Sequence, residues 1–276
     1  MNATPSAEQT TDRTTQTTLQ QTSPRQTLPT PDEAACHLAT RMRAVLNDPR
    51  ALTDLRTYFG LEPVAAPFTG ARFESLGSGT DTHQHANTIT ATDLIAVQTL
   101  SVTVPAPVAL DLLEGTLGTR LSELLSHIPA DTDMTDADAH HLEAGSPADH
   151  AWHLLRAQRG VNWVIAGKLL ARKRPRLLPV YDNVVRCALG RPQSFWVALH
   201  GALQHGNHAL HEEVLAVRQA AGVPQTVSVL RTCDVAVWMR HHTIHRSTHG
   251  CERNAERPID HLDADVTAAL RDGTAG

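Results

Sequence analysis

The sequence predicts an all-α or mainly α protein, one helical body between two disordered ends, and three observations lead there. Apolar residues recur at three- and four-residue intervals through most of the chain, as in Ala35, Leu38, Ala39, Met42, Val45 and Leu46. That is the period of a helix with one buried face. Helix-start chemistry precedes such runs, as at Asp48-Pro49 and at Ser146-Pro147 with Asp149. Residues 1–31 are Thr, Gln, Ser and Pro with almost no large apolar side chain, which leaves too little burial to offset the entropy of ordering.

The organisation that follows is a disordered Thr/Gln-rich leader at 1–31, a mainly helical globular domain at 32–242, and a mobile His/Arg/Asp-rich tail at 243–276. The tail holds one weak amphipathic stretch, Ile259 to Leu270. Within the domain, Asp32 is placed to cap the first helix, and Asp48-Pro49 opens a second that ends at Gly60. Residues 68–85 carry the glycines and polar residues of an exposed loop. The stretch Thr90 to Val104 has two readings, a helix capped at Thr90 or Thr92, or an extended segment ending in the β-branched SVTVP. Short helices follow over VALDLLEG and LGTRLSELLSHI, then an acidic loop at 131–145 and a helix over DHAWHLLRAQR. Further helices are predicted at Val161 to Arg172, Asn183 to Leu189, Gln193 to Leu203, Leu210 to Ala221 and Ser228 to His242.

Composition excludes several classes. Cys36, Cys187, Cys233 and Cys251 form no CxxC pair, so neither a disulfide framework nor a cysteine-ligated cluster is expected, and no cofactor is assigned. No apolar run reaches membrane-spanning length, and the start of the chain lacks the pattern of a secretory signal. A cytoplasmic protein without a membrane partner is the expectation. His241, His245 and His249 recur every four residues; a continued helix would align three imidazoles, but the run into Ser, Thr and Gly argues against continuation, and no metal is assigned. No phosphate-binding glycine loop or nucleophile elbow is present.

The chain has a net charge of -5, yet between Arg156 and Arg191 nine cations face the single acid Asp182. Both lysines of the chain, Lys168 and Lys173, lie there. A concentrated basic stretch in an acidic protein points to local contact with a polyanion such as duplex DNA. Each feature also has a plainer reading. Asp182 is well placed as a helix N-cap, Arg172, Lys173, Arg174 and Arg176 as a solvated loop, Lys168 as half of an ion pair, and the four tryptophans as core.

Arg159-Gly160, the turn Val161-Asn162 and a helix from Trp163 resemble the helix-hairpin-helix of the DNA glycosylase superfamily. Pro179-Val180-Tyr181-Asp182 resembles the aspartate turn that follows it there. The likeness covers Ser146 to Met239. It implies a glycosylase-like helical domain in which Gly160, Asn162 and Trp163 meet phosphate and Asp182 is the catalytic aspartate, orienting water or stabilising the sugar cation, with the basic run supporting the DNA backbone. Asn162 stands where a second hairpin glycine is usual, and Val164 where lyase-active members carry their Schiff-base lysine, so the implied enzyme is monofunctional. Lys168 lies one helical turn further along the same face. Taken whole, the chain also resembles a bacterial family of unknown function, through FTGARFE, ITATDLIAV, GKLLARKRPRLLPVYD and LRTCDVAVWM. Two alternatives stay open: a non-catalytic binding module of the same fold, and a small-molecule enzyme using Lys168 and Asp182. The sequence does not give the oligomeric state.

Overall fold

The structure, a computed structural model, describes residues 29–61, 67–77 and 85–247. Those residues form ten α-helices and no strand: α1 (Pro31–Leu46), α2 (Ala51–Phe59), α3 (Ala91–Gln98), α4 (Ala106–Glu114), α5 (Thr116–Ser126), α6 (Pro147–Arg156), α7 (Trp163–Lys173), α8 (Asn183–Leu189), α9 (Phe195–Ala220) and α10 (Val229–Ser247). Short 3-10 turns lie at Thr69–Arg72 and Ala139–His141. The mainly helical fold read from apolar period is therefore the fold observed.

Helix α7 is the structural axis. Val164, Ile165, Ala166, Lys168, Leu169, Leu170 and Ala171 are all buried, so it is apolar nearly all round, the signature of a core helix. α3 and α6 pack on it. α1 lies along α9, while α10 bridges α2 and α8. One continuous apolar core runs from Ala35 to Val237.

Local chemistry explains several boundaries that differ from expectation. Thr30, not Asp32, caps α1, and its side chain and that of Glu33 form a reciprocal capping box. Pro31 takes the first helical position, where its missing N–H costs nothing, so the cap must precede it. Asp48 accepts a hydrogen bond from the Arg50 amide at 2.9 Å, and α2 begins only at Ala51. The ambiguous 90–104 stretch is helical at its start, through a Thr90/Asp93 capping box, and leaves the helix at Thr99. The exit is abrupt because Ser101 is left-handed, with φ at 61°.

The two predicted helices at 193–203 and 210–221 join in α9, interrupted where Gly206, Asn207 and His208 take positive φ. α10 runs through His242 to Ser247, five residues into the predicted tail, because His241, His242 and His245 continue the helix instead of ending it. The leader up to residue 28, the tail beyond Ser247 with His249 and Cys251, and part of the 68–85 loop lie outside the described residues.

Candidate functional site

Four elements converge on one polar cavity of about 330 Å³. α7 contributes Val164 and Lys168, four residues apart and therefore on one face. The extended segment before α8 contributes Val180 and Asp182, the turn after α3 contributes Leu100 and Ser101, and α10 contributes Arg231, Asp234 and Trp238. Tyr58 of α2 and the Phe68–Gly70 loop close it. Tyr58 stacks on Phe68, with ring centroids 5.2 Å apart and planes within 6°. Trp238 meets Tyr58 edge-on at 6.1 Å and stacks on His242 at 4.3 Å. The lining thus combines a cluster of aromatic rings with charged side chains.

Asp182 is the N-cap of α8. Its Oδ1 accepts from the Val184 and Val185 amides at 3.0 and 3.1 Å, which fixes the carboxylate at the positive end of the helix. Oδ2 lies 3.5 Å from Lys168 Nζ. The side chains of Lys168 and Asp182 are only 5% and 15% exposed. Lys168 also donates to the Leu100 carbonyl at 3.1 Å. Burial pushes the Lys168 ammonium below its ordinary range, and Asp182 works against that shift while Arg231 adds to it. The left-handed Ser101 follows the carbonyl that Lys168 uses, so a strained backbone residue sits on the cavity wall.

Arg231, also in the lining, is held against the aromatic cluster. It pairs with Asp234, donates to the Tyr58 hydroxyl and to the Gly70 carbonyl, the last at 3.0 Å. Its guanidinium carbon lies over the Tyr58 and Phe73 rings at 5.3 and 5.4 Å. Gly70 is required here by contact: a Cβ on it would fall 2.0 Å from the Tyr58 hydroxyl. Burial raises the Tyr58 phenol above its usual range, opposed by Arg231, so Tyr58 is a neutral hydroxyl at physiological pH.

The structure brings together Lys168 and Asp182, the two residues chosen from sequence as catalytic candidates. It places the phosphate candidates elsewhere. Asn162 caps α7 by accepting from the Ile165 amide at 2.9 Å. Gly160 has φ of +84° and would drive a Cβ to 2.9 Å from Pro105. Trp163 is half-buried, with Arg186 5.1 Å over its ring.

The basic run is turned inward. Arg172 and Lys173, with side chains 9% and 8% exposed, share the buried carboxylate of Asp93 at 2.9 Å each. Arg172 also donates to the carbonyls of Phe73, Glu74 and Leu76. Arg174 has no exposed surface; it donates to the carbonyls of Ile128, Ala86, Lys173 and Leu125 and to Asn87 Oδ1. Of these four only Arg176 is exposed, and it pairs with Asp133 at 2.8 Å; Arg159 and Arg191, at the two ends of the run, are exposed as well. Arg172, Lys173 and Arg174 bind the protein's own loops, which takes the centre of the positive run off the surface.

Tyr58, Gly70, Arg231 and Asp234 line the cavity without a sequence motif that marks them as site residues, and Trp238, expected in the core, lines it as well. One signal was present. Arg231 and Asp234 are two opposite charges three residues apart in the otherwise apolar LRTCDVAVWM, which buries both of them.

Among the described residues no group of three or more His, Cys, Asp or Glu side chains could hold a metal ion, and no helix is long and apolar enough to cross a membrane. A family model described as a family of unknown function, DUF6308, matches residues 51–241. No curated protein and no solved structure matches the chain. The family segment contains every cavity residue from Tyr58 through Trp238.

Proposed function

The chain belongs to the DUF6308 family of unknown function, and from the cavity that segment builds we propose that it is a small-molecule enzyme in which Lys168 and Asp182 handle a proton of the bound substrate. The observation that carries this reading is the buried Lys168–Asp182 pair, side by side at 3.5 Å on the wall of a cavity with an aromatic face. A lysine whose pKa is pushed down by burial carries a larger neutral fraction near pH 7 than a solvated one, which suits it to accept or donate a proton. Asp182 balances the ammonium when it forms. Arg231 is fixed in place by Asp234, Tyr58 and Gly70, which hold the shape of the cavity wall it lines. The volume sits at the lower end of the roughly 300–1,000 Å³ common for ligand pockets, which fits a compact polar metabolite with one flat face.

The test is thermal denaturation of wild type, Lys168→Met and Asp182→Asn with a panel of nucleosides, sugar phosphates and 2-oxo acids. Asn caps a helix about as well as Asp, so Asp182→Asn should stay folded. One ligand class should raise the melting temperature of wild type and leave both variants unmoved. A panel that shifts nothing, or shifts all three proteins equally, overturns the assignment.

A second reading draws on one specific arrangement: the α6 to α7 corner, with left-handed Gly160 and the Asn162 cap, is followed by Asp182 at the start of α8 facing Lys168. That order suits the monofunctional glycosylase reading, in which the Asp182 carboxylate stabilises a developing sugar cation. The inward turn of Arg172, Lys173 and Arg174 weighs against it. Incubation of wild type and Asp182→Asn with damaged and mismatched duplexes, followed by alkali, tests it: base release by wild type alone supports this reading, and none by either removes it. Salt-sensitive DNA binding without release would instead indicate a non-catalytic DNA-binding module.

A further inference from the structure

We propose that a second cavity, backing onto the same wall as the Lys168–Asp182 site, binds a planar nitrogen heteroaromatic ring of one or two fused rings. The two cavities share a partition. Along α7, Val164 and Lys168 line the first, and Trp163 and Gly167 line the second. Along the extended segment before α8, Val180 and Asp182 face the first, and Pro179 and Tyr181 the second, as alternation requires.

The second cavity has a volume of about 270 Å³, just under the roughly 300–1,000 Å³ of typical ligand pockets, which suits a single flat ring system better than an extended cofactor. Its walls are aromatic: Trp152, Trp163, Tyr181, Phe195 and Trp196. Tyr181 stacks on Phe195 with centroids 3.8 Å apart, a fixed aromatic pair in the lining against which a ligand ring can pack by offset or edge contacts.

Gly167 opens the same cavity from the helix side. Glycine inside a helix is less favourable than alanine, and it is usually kept there where a side chain would collide. Here a Cβ would meet nothing within 4 Å. It lies one turn from Trp163 on the cavity face, and the space it leaves is cavity space.

The polar groups choose the ligand. Asp149 is the one charged residue of the lining. Its carboxylate accepts from the Gly145 amide at 2.9 Å and lies 3.4 Å from His153 Nε2, which leaves acceptor capacity for a ring N–H. A carboxylate ligand is repelled by Asp149. A compact organic cation is disfavoured as well, because Arg156 and Arg186 already stand 5.1 Å over the Trp152 and Trp163 rings. A neutral ring with an N–H edge satisfies both constraints.

Tryptophan placement supplies the assay, since Trp152, Trp163 and Trp196 line this cavity and Trp238 lines the other. In full-length Trp238→Phe, benzimidazole should quench the remaining fluorescence saturably and bind at least tenfold more tightly than benzoate or tetramethylammonium. Gly167→Leu in that background should weaken benzimidazole at least tenfold with helical circular dichroism intact, while Gly167→Ala should fold as well as the parent. If Gly167→Leu does not fold, Asp149→Asn serves instead, with benzimidazole weakened and benzoate no longer rejected. Quenching that does not saturate, equal binding of the three probes, or a folded Gly167→Leu with unchanged affinity overturns the proposal.

Discussion

Asp93→Asn is the perturbation that asks most directly what the basic run is for. The Asp93 carboxylate is 6% exposed and takes Arg172 Nε on one oxygen and Lys173 Nζ on the other, each at 2.9 Å. The second oxygen also closes the capping box with the Thr90 amide at 3.0 Å. Removing its charge leaves two cations, each less than a tenth exposed, without the carboxylate they share. Breaking a buried pair by neutralising one partner costs about 3–5 kcal/mol. Asn keeps an oxygen for Thr90 or for one cation, so the lower end, about 3 kcal/mol, is expected. In a domain of this size each kcal/mol moves the melting temperature by about 2–4 °C, so a fall of about 6–12 °C follows.

Urea unfolding followed by circular dichroism measures the difference, and its pH dependence is a second check. Burial alone would raise the Asp93 pKa, but the Lys173 charge and hydrogen bonds from Lys173, Thr90 and Arg172 together outweigh it and hold the carboxyl below its usual value. A group whose folded pKa is depressed contributes stability above its unfolded pKa, about 3.9, and loses that contribution as pH falls through the folded value. The gap between wild type and Asp93→Asn should therefore be full at pH 7 and narrow below about pH 4. A loss of less than about 1 kcal/mol at pH 7, with no pH dependence, would refute the buried-triad account and return Arg172 and Lys173 to the surface as candidate phosphate contacts.

Arg174→Met fills similar volume without donors and strands the carbonyls of Ile128, Ala86 and Leu125; at about 1–3 kcal/mol for each unsatisfied buried group, chemical denaturation should show a loss of more than about 3 kcal/mol, and a neutral result would mean that Arg174 is hydrated. Gly70→Ala should force Tyr58 and Arg231 apart, since its Cβ would lie 2.0 Å from the Tyr58 hydroxyl; overpacking of this kind costs about 1–3 kcal/mol, and an unshifted thermal midpoint would show that the loop yields freely. Burial pushes the Cys233 thiol up to about 12, whereas Cys36 is exposed. Alkylation at pH 8 with peptide mapping should label Cys36 in the native protein and Cys233 only after unfolding; rapid native labelling of Cys233 would contradict the packing of α10.

The sequence alone determined the helical class and most helix positions, because period and capping are local. The Ser146 cap, the Asn162 turn, the Asp182 cap and the apolar faces of α1 and α5 each rest on residues within one or two turns of each other. It also singled out Lys168 and Asp182, through their place in one segment. What lies across from them was decided by tertiary structure alone. Tyr58, Gly70 and Arg231 come from positions far apart in the chain, and a hydrogen bond between residues 173 apart leaves no local pattern. The basic run is the clearest case. As a string, Arg172 to Arg176 reads as a positive surface, since long cations are seldom fully buried. Asp93, Asp133 and the loop carbonyls around Leu76, Ala86 and Ile128 arrive from elsewhere to satisfy them. Whether a charge faces water or protein depends on partners brought in by the fold, and that is why the same residues can be read as a phosphate clamp in sequence and stand as internal clasps in the folded protein.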